Sequence, residues 1–198
     1  MYNSNKISTQ SFFNYLSQFI TLTPDEIKTI SNCLYLEEIP AKQYLLKTGK
    51  VSNRIGFIIN GLIRAFHYDE EGNEIIRCFH YDNSFVCNLQ SYSNQIPSDE
   101  NIETISPSQI LFFDRESDEY LSANLKCWLQ LSRQVTEAEL LKKVHNNKHL
   151  LHIEAKQRYI NFMNDHATVA SQIPLGYLAS YLGITQQSLS RIRKLIHQ

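Results

Sequence analysis

Hydrophobic spacing divides the chain into a helical start, a strand-rich middle and a helical end. "SFFNYLSQF" sets Phe12, Leu16 and Phe19 at helical spacing, and "LTPDEIKTISNCL" adds a second helix. Thr23 stands where an N-cap is needed, Pro24 takes the first helical position, and Asp25 and Glu26 fill the first turn. From Tyr35 to Asp114 the texture is that of strands. "RIGFIINGLIRAFHYD" reads as two strands around Asn60-Gly61, a pair able to supply the positive φ of a two-residue type I′ hairpin. "DEEGNEIIRCFHY" repeats the device around Glu71-Gly72-Asn73, and short strands are expected near Phe85-Val86, 101–105 and 109–113. Short strands this closely spaced predict an antiparallel sandwich or barrel.

From Ser117 onward the rhythm is helical again. Leu121, Leu125, Trp128, Leu131, Val135, Ala138, Leu141 and Val144 recur every three or four residues, which predicts one long helix with an apolar stripe. Such a stripe packs on its own domain or on a second copy of itself. It runs past the strand region into a basic segment, which favours a homodimer. "HIEAKQRYINFMNDH" is a further helix, 170–174 a short connector, and "LASYLGITQQSLSRIRKLI" follows. The expected class is α+β: an antiparallel strand domain with leading helices over 1–116, a dimerisation helix over 117–148 and a helical unit over 149–198.

Composition adds little except through charge. The 198 residues, 42% hydrophobic and 20% charged, are ordinary for a soluble globular protein. No apolar run approaches the roughly 18 residues that span a bilayer. The polar opening "MYNSNKISTQ" lacks a signal-peptide core, so a cytoplasmic location and no membrane partner are expected. Cys33, Cys78, Cys87 and Cys127 form no C-x-x-C pair, and buried free thiols are expected. Residues 1–140 carry 11 basic and 18 acidic side chains, a net −7, whereas 141–198 carry 8 and 2, a net +6. An acidic body with a basic end points to a polyanionic partner at that end; solvated basic faces are the plainer alternative.

The last basic stretch has a pattern of its own. In a twenty-residue window opening at Leu175, Ala179 is fifth, Gly183 ninth, Ile184 tenth, Leu189 fifteenth and Ile192 eighteenth. A helix-turn-helix needs a small residue where its helices touch, a left-handed glycine in the turn, and apolar residues closing a small core, with Leu178 and Leu182 completing it. Thr185 caps the second helix, whose free face carries Gln186, Gln187, Ser190 and Arg191. Gln suits both acceptor and donor edges of adenine and Arg forks onto guanine, so these four are the candidate base contacts. Thr185, Arg193 and Lys194 are the candidate phosphate contacts on double-stranded DNA. A structural helix corner with a solvated basic face is the alternative reading.

The order of parts resembles the Crp/Fnr family of bacterial transcription regulators, most specifically in "GFIINGLIRAFHYDEEGNEI" and "PLGYLASYLGITQQSLSRIRK". The resemblance implies a cyclic-nucleotide-binding-type β-roll, a dimerisation helix and a terminal DNA-binding unit reading an inverted-repeat operator. It also implies RNA polymerase and an unidentified small-molecule effector as further partners. Members that bind cyclic AMP carry a Gly-Glu pair and a later Arg for the ribose and cyclic phosphate. Here Cys87-Asn88 and "PSDEN", with Asp99 and Glu100, stand at those places. Carboxylates repel a phosphate, so a degenerate pocket that does not bind cyclic AMP is expected.

Other constellations are weaker. His145, His149 and His152 would align on one face of a continuous helix, a spacing that suits a metal or haem, but Asn146-Asn147 weakens a helix there and no metal is expected. Cys78 and His80 share a strand face. An enzyme would have to use the strand region as a cupin-like barrel, and His67 and His80 do not form the His-x-His pair that needs. No nucleophile elbow or phosphate-cradling glycine loop occurs, no cofactor is indicated, and no enzyme is expected. A scaffold whose terminal helices hold a protein partner is the remaining class.

Overall fold

A computed structural model describes residues 4–148 and 153–196, with side chains described over 9–144 and 153–196. Helices α1 (Ser4–Leu16) and α2 (Pro24–Asn32) lead. The Thr23 hydroxyl accepts from the Glu26 amide while the Glu26 carboxylate accepts from the Thr23 amide, a closed capping box. Two four-stranded antiparallel sheets follow. One has the order β1 (Tyr35–Ile39), β8 (Ser108–Asp114), β3 (Arg54–Asn60), β6 (Phe85–Val86); the other runs β2 (Tyr44–Leu46), β7 (Asn101–Thr104), β4 (Leu62–Tyr68), β5 (Glu74–Tyr81). The fold is thus α+β with an antiparallel roll, as expected. No helix among the described residues is long and apolar enough to cross a membrane.

The core is built in layers because β3 is buried on both faces. Ile58 points between the sheets with Ile63, Ala65, Val86, Ile102, Ile110 and Phe112. Phe57 points outward onto α1 and α2, joining Phe12, Tyr15, Leu16 and Ile30. Hence "GFII" is a continuous apolar run rather than an alternating one.

The strand reading needs one correction. Glu71-Gly72-Asn73 does turn a true hairpin: β4 pairs with β5, Gly72 has φ +83°, and the Asp69 carboxylate accepts from the amides of Glu71 and Asn73. Asn60-Gly61 does not. It carries the chain from one sheet to the other, so β3 and β4 are not paired with each other. Gly61 has φ +140°, its amide donates to Asp82, and a Cβ there would fall 2.2 Å from the Ser108 hydroxyl. Close approach of a neighbouring strand demands the glycine, not a type I′ turn. A six-residue helix, α3 (Leu89–Asn94), was not expected within the strand region.

The single long helix also needs correction. Leu125 is extended, with φ −118° and ψ 110°, and separates α4 (Arg115–Asn124) from α5 (Lys126–Lys148). The stripe from Leu121 to Ala138, expected as the dimer face, belongs to the protomer's own core instead. Leu121, Trp128 and Leu131 are buried against Phe113 and α1, with Leu125 and Val135 packed beside them and Ala138 half-buried. The last two positions of the stripe, Leu141 and Val144, are left exposed on α5 together with Leu129 and Leu140.

Of the helices α6 (Ala155–Asp165), α7 (Leu175–Tyr181) and α8 (Gln186–Ile196), α7 packs on β5, α6 reaches it through Phe162 against Phe79, and α8 packs on α6 and α7. Leu62, Phe79, Tyr81 and Ile105 join Tyr159, Phe162 and Leu178 in one apolar cluster. The Ser180 hydroxyl donates to the Glu74 carbonyl and accepts from the Ile76 amide, satisfying the free edge of β5. Arg64, buried in β4, is held by Glu74 and Glu103, and its guanidinium lies 4.0 Å from the ring centres of both Phe66 and Tyr177.

Candidate functional site

Two places carry candidate chemistry: the face of α8 and the rim of the roll near α3. The first is fixed by a short turn. Gly183 adopts φ +64° with nothing near its missing Cβ, so conformation rather than space requires glycine. The Leu182, Gly183 and Ile184 amides donate back to the carbonyls of Leu178, Ser180 and Ala179, closing the end of α7. Thr185 then caps α8, its hydroxyl accepting from the Ser188 amide at 3.1 Å. Leu178, Ala179, Leu182 and Leu189 are buried, with Ile184 and Ile192 packed against them.

Burying Leu189 and Ile192 turns the polar side of α8 outward. Gln186, Gln187, Ser190, Arg191 and Lys194 are exposed together, along with Thr185, while Arg193 is half-buried. Gln186 differs from its neighbours. Its side-chain nitrogen lies 2.8 Å from where a Gly176 Cβ would be, so it rests on α7. Gln187 and Arg191 are one helical turn apart on the same face. Sequence reasoning missed Arg158, which donates to the carbonyls of Leu182 and Ile153 and so ties α6 to the turn. It also missed Ser180 and Tyr177. Both act on residues distant in sequence, which local spacing does not reveal.

At the roll's rim, three of the four pocket residues, Asn88, Asp99 and Glu100, form a network with Arg77, and Cys87 lies half-buried beside it. Asn88 caps α3, its carbonyl oxygen accepting from the Ser91 amide at 2.8 Å. Its amide nitrogen lies 3.2 Å from an Asp99 oxygen and 3.0 Å from a Glu100 oxygen. Arg77, which sequence reasoning did not single out, pairs with Asp99 at 3.2 Å and Glu100 at 3.6 Å. The Cys87 thiol is pushed up to about 11, chiefly by burial. Asn88 and Arg77 therefore already serve the two carboxylates. A cyclic phosphate would have to displace them while meeting two negative charges.

His80 and Cys78 lie beneath this rim. Nδ1 of His80 is 3.0 Å from the Phe85 carbonyl, which can only accept, so Nδ1 carries the hydrogen and Nε2 faces the Cys78 sulfur at 3.3 Å. Burial holds His80 down to about 4 and lifts Cys78 to about 11, so both are neutral near pH 7. The sign of the acid effect follows. With a folded pKa below the unfolded value of about 6.5, His80 costs nothing above that value. Stability is lost as the pH falls through 6.5 toward the folded value of about 4, by about 3 kcal/mol in all. Urea melts at about pH 7 and about pH 4.5 should show a smaller acid loss for His80→Phe than for the wild type. Equal losses would place the acid sensitivity elsewhere.

Among the described residues, no group of three or more His, Cys, Asp or Glu side chains could hold a metal ion. His145 lies within α5, and its side chain, with His149 and His152, falls outside the described residues.

Residues 36–123 match the family model of the cyclic nucleotide-binding domain. No curated protein matches the sequence. Among solved structures, the c-di-GMP-responsive global regulator CLP of Xanthomonas campestris is similar, with TM-score 0.70 and 12% identity over 88% of this chain and 92% of that one. A protein of Eubacterium rectale assigned to the crp/fnr family of transcriptional regulators has TM-score 0.70 and 15% identity, over 93% of this chain and 88% of that one. FixK2 of Bradyrhizobium japonicum has TM-score 0.68 and 17% identity, over 83% and 84%.

Proposed function

We propose that this chain, which has the fold of the Crp/Fnr regulators and a cyclic-nucleotide-binding-type domain, is a DNA-binding transcription regulator rather than an enzyme. It acts as a homodimer on an inverted-repeat operator. The observation that carries the reading is the face of α8. A capped helix after a left-handed glycine turn exposes Gln187, Ser190, Arg191 and Lys194 together and buries its apolar side. A free helix with amide and guanidinium groups on one face suits the major groove, and the basic end suits the phosphates on either side.

The dimer uses the exposed side of α5. Leu129, Arg133, Thr136 and Leu140 recur at intervals of four, three and four, as along a coiled-coil seam, and Val144 follows one turn later on a face separate from the stripe buried in the protomer. Selection from random duplexes should return a sequence with two-fold symmetry. Its affinity should fall steeply with salt, because each phosphate contact releases counterions. Failure of the folded protein to bind any duplex would move the reading to a scaffold for a protein partner.

The rim network of Asn88, Arg77, Asp99 and Glu100 supports a second expectation. Calorimetric titration with cyclic AMP should show no saturable heat at micromolar concentration. Saturable micromolar binding would reverse this part of the reading.

A further inference from the structure

A cavity of about 270 Å³ lies between the outer face of the first sheet, α1, α3 and α5. It is separate from the apolar cluster between the two sheets, which Ile58, Ile63, Val86, Ile102 and Ile110 form. Its walls are apolar, formed chiefly by Phe12, Phe85, Phe113, Trp128, Leu131 and Val135.

The polar groups that reach the cavity fall into two sets. The acids are engaged. Asp118 accepts from the Trp128 indole at 2.7 Å and the Tyr92 hydroxyl at 3.1 Å. Glu139 accepts from the Tyr15 hydroxyl at 2.6 Å and from Lys142 at 2.8 Å. His80 is neutral and turned to Phe85 and Cys78. The second set has no hydrogen bond or ion pair to any described residue: the hydroxyls of Ser93, Ser132 and Thr136, and the exposed ammonium of Lys143. What the α5 side of the cavity offers is therefore hydroxyls and one positive charge, while the negative charge of Asp118 stays on the wall beside Trp128 and Tyr92.

We propose that this cavity binds a small amphipathic monocarboxylate. Its apolar body lies against Trp128 and Phe85, and its head meets Lys143 with the α5 hydroxyls of Ser132 and Thr136. An apolar cavity of roughly 150 Å³ accepts benzene, so this one holds a ligand of roughly ten heavy atoms. Lys142 already matches the charge of Glu139, so Lys143 is left to balance a single negative charge on a ligand head. Ser132, Thr136 and Leu140 line both this cavity and the exposed side of α5, so occupancy would be felt at the proposed dimer seam. That regulatory meaning rests on the proposed function. The binding itself does not, and its test contains no DNA, so the two readings fail separately.

Octanoate is the probe, with octanol as the uncharged match and butyrate as the charged match with a short body. Trp128 is the only tryptophan in the chain, so its emission reports occupancy directly. Octanoate should give a saturable change in Trp128 emission and a matching calorimetric heat, with octanol and butyrate at least about tenfold weaker. Lys143→Met should reduce octanoate to the level of octanol and leave octanol unchanged. Ser132→Phe should fill the cavity and abolish both. If that variant does not fold, Lys143→Met, at an exposed position, decides alone. No binding at millimolar octanoate, equal binding of octanol, or octanoate affinity unchanged in Lys143→Met would each overturn the proposal.

Discussion

Leu140→Asp combined with Val144→Asp will leave a folded monomer, whereas Leu131→Asp alone will unfold the protein. The three residues lie on one helix, yet their surroundings differ. Leu131 is 1% exposed, packed in the core that also holds Phe113 and Trp128. Removing its side chain costs about 2–5 kcal/mol in packing, and an unpaired carboxylate in the same place adds a desolvation cost. Together these approach the whole stability of about 5–15 kcal/mol typical of a folded domain. Leu140 and Val144 are 47% and 53% exposed in the protomer. Their replacement costs the protomer little but puts two charges, and by symmetry four, into the proposed seam. Circular dichroism should show a native thermal transition for the double variant and none for Leu131→Asp. Sedimentation should give half the wild-type mass for the double variant. An unchanged mass would mean that another surface joins the subunits.

That contrast also explains what the sequence could and could not reveal. A pattern of apolar residues every three or four positions identifies a helix and a stripe. On α5 two stripes coexist, one inward through Trp128 and Leu131 and one outward through Leu129 and Leu140. Periodicity alone does not say which one the protomer keeps. The break at Leu125 carries no glycine or proline to announce it. Local chemistry was legible where the cause is local. The Thr23 N-cap, the Gly72 hairpin and the left-handed Gly183 all stand where the residues indicated. Asn60-Gly61 misled because the same glycine serves a turn or a close approach, and the deciding atom, the Ser108 hydroxyl, is 47 positions away. Arg77 escaped notice for a similar reason, since its partners Asp99 and Glu100 lie across the rim from it.

Arg191→Ala will weaken binding to the selected operator and relax the preference at one base pair in each half-site. Lys194→Ala will weaken all duplexes alike. Both side chains are exposed on α8, but they differ in chemistry and in position along the helix. Arg191 stands one turn after Gln187, toward the N-terminal part of the helix that enters a groove, and its planar fork matches the O6 and N7 acceptors of guanine. Lys194 stands in the last turn and presents a compact point charge, suited to a phosphate and indifferent to sequence. The loss for Arg191→Ala on the operator should be about 1–3 kcal/mol, with much less lost on random DNA. For Lys194→Ala the slope of log affinity against log salt should become shallower by about one, with the sequence preference intact. In a dimer the two copies of α8 would enter successive major grooves about 34 Å apart, so each relaxed position should appear twice, related by symmetry. Gln186 should matter less than Gln187, because its amide already rests on Gly176. Titration of the variants against operator and random duplexes over a range of salt separates these effects. Equal losses on operator and random DNA for Arg191→Ala would show that Arg191 holds the backbone, and the base contact would then fall to Gln187.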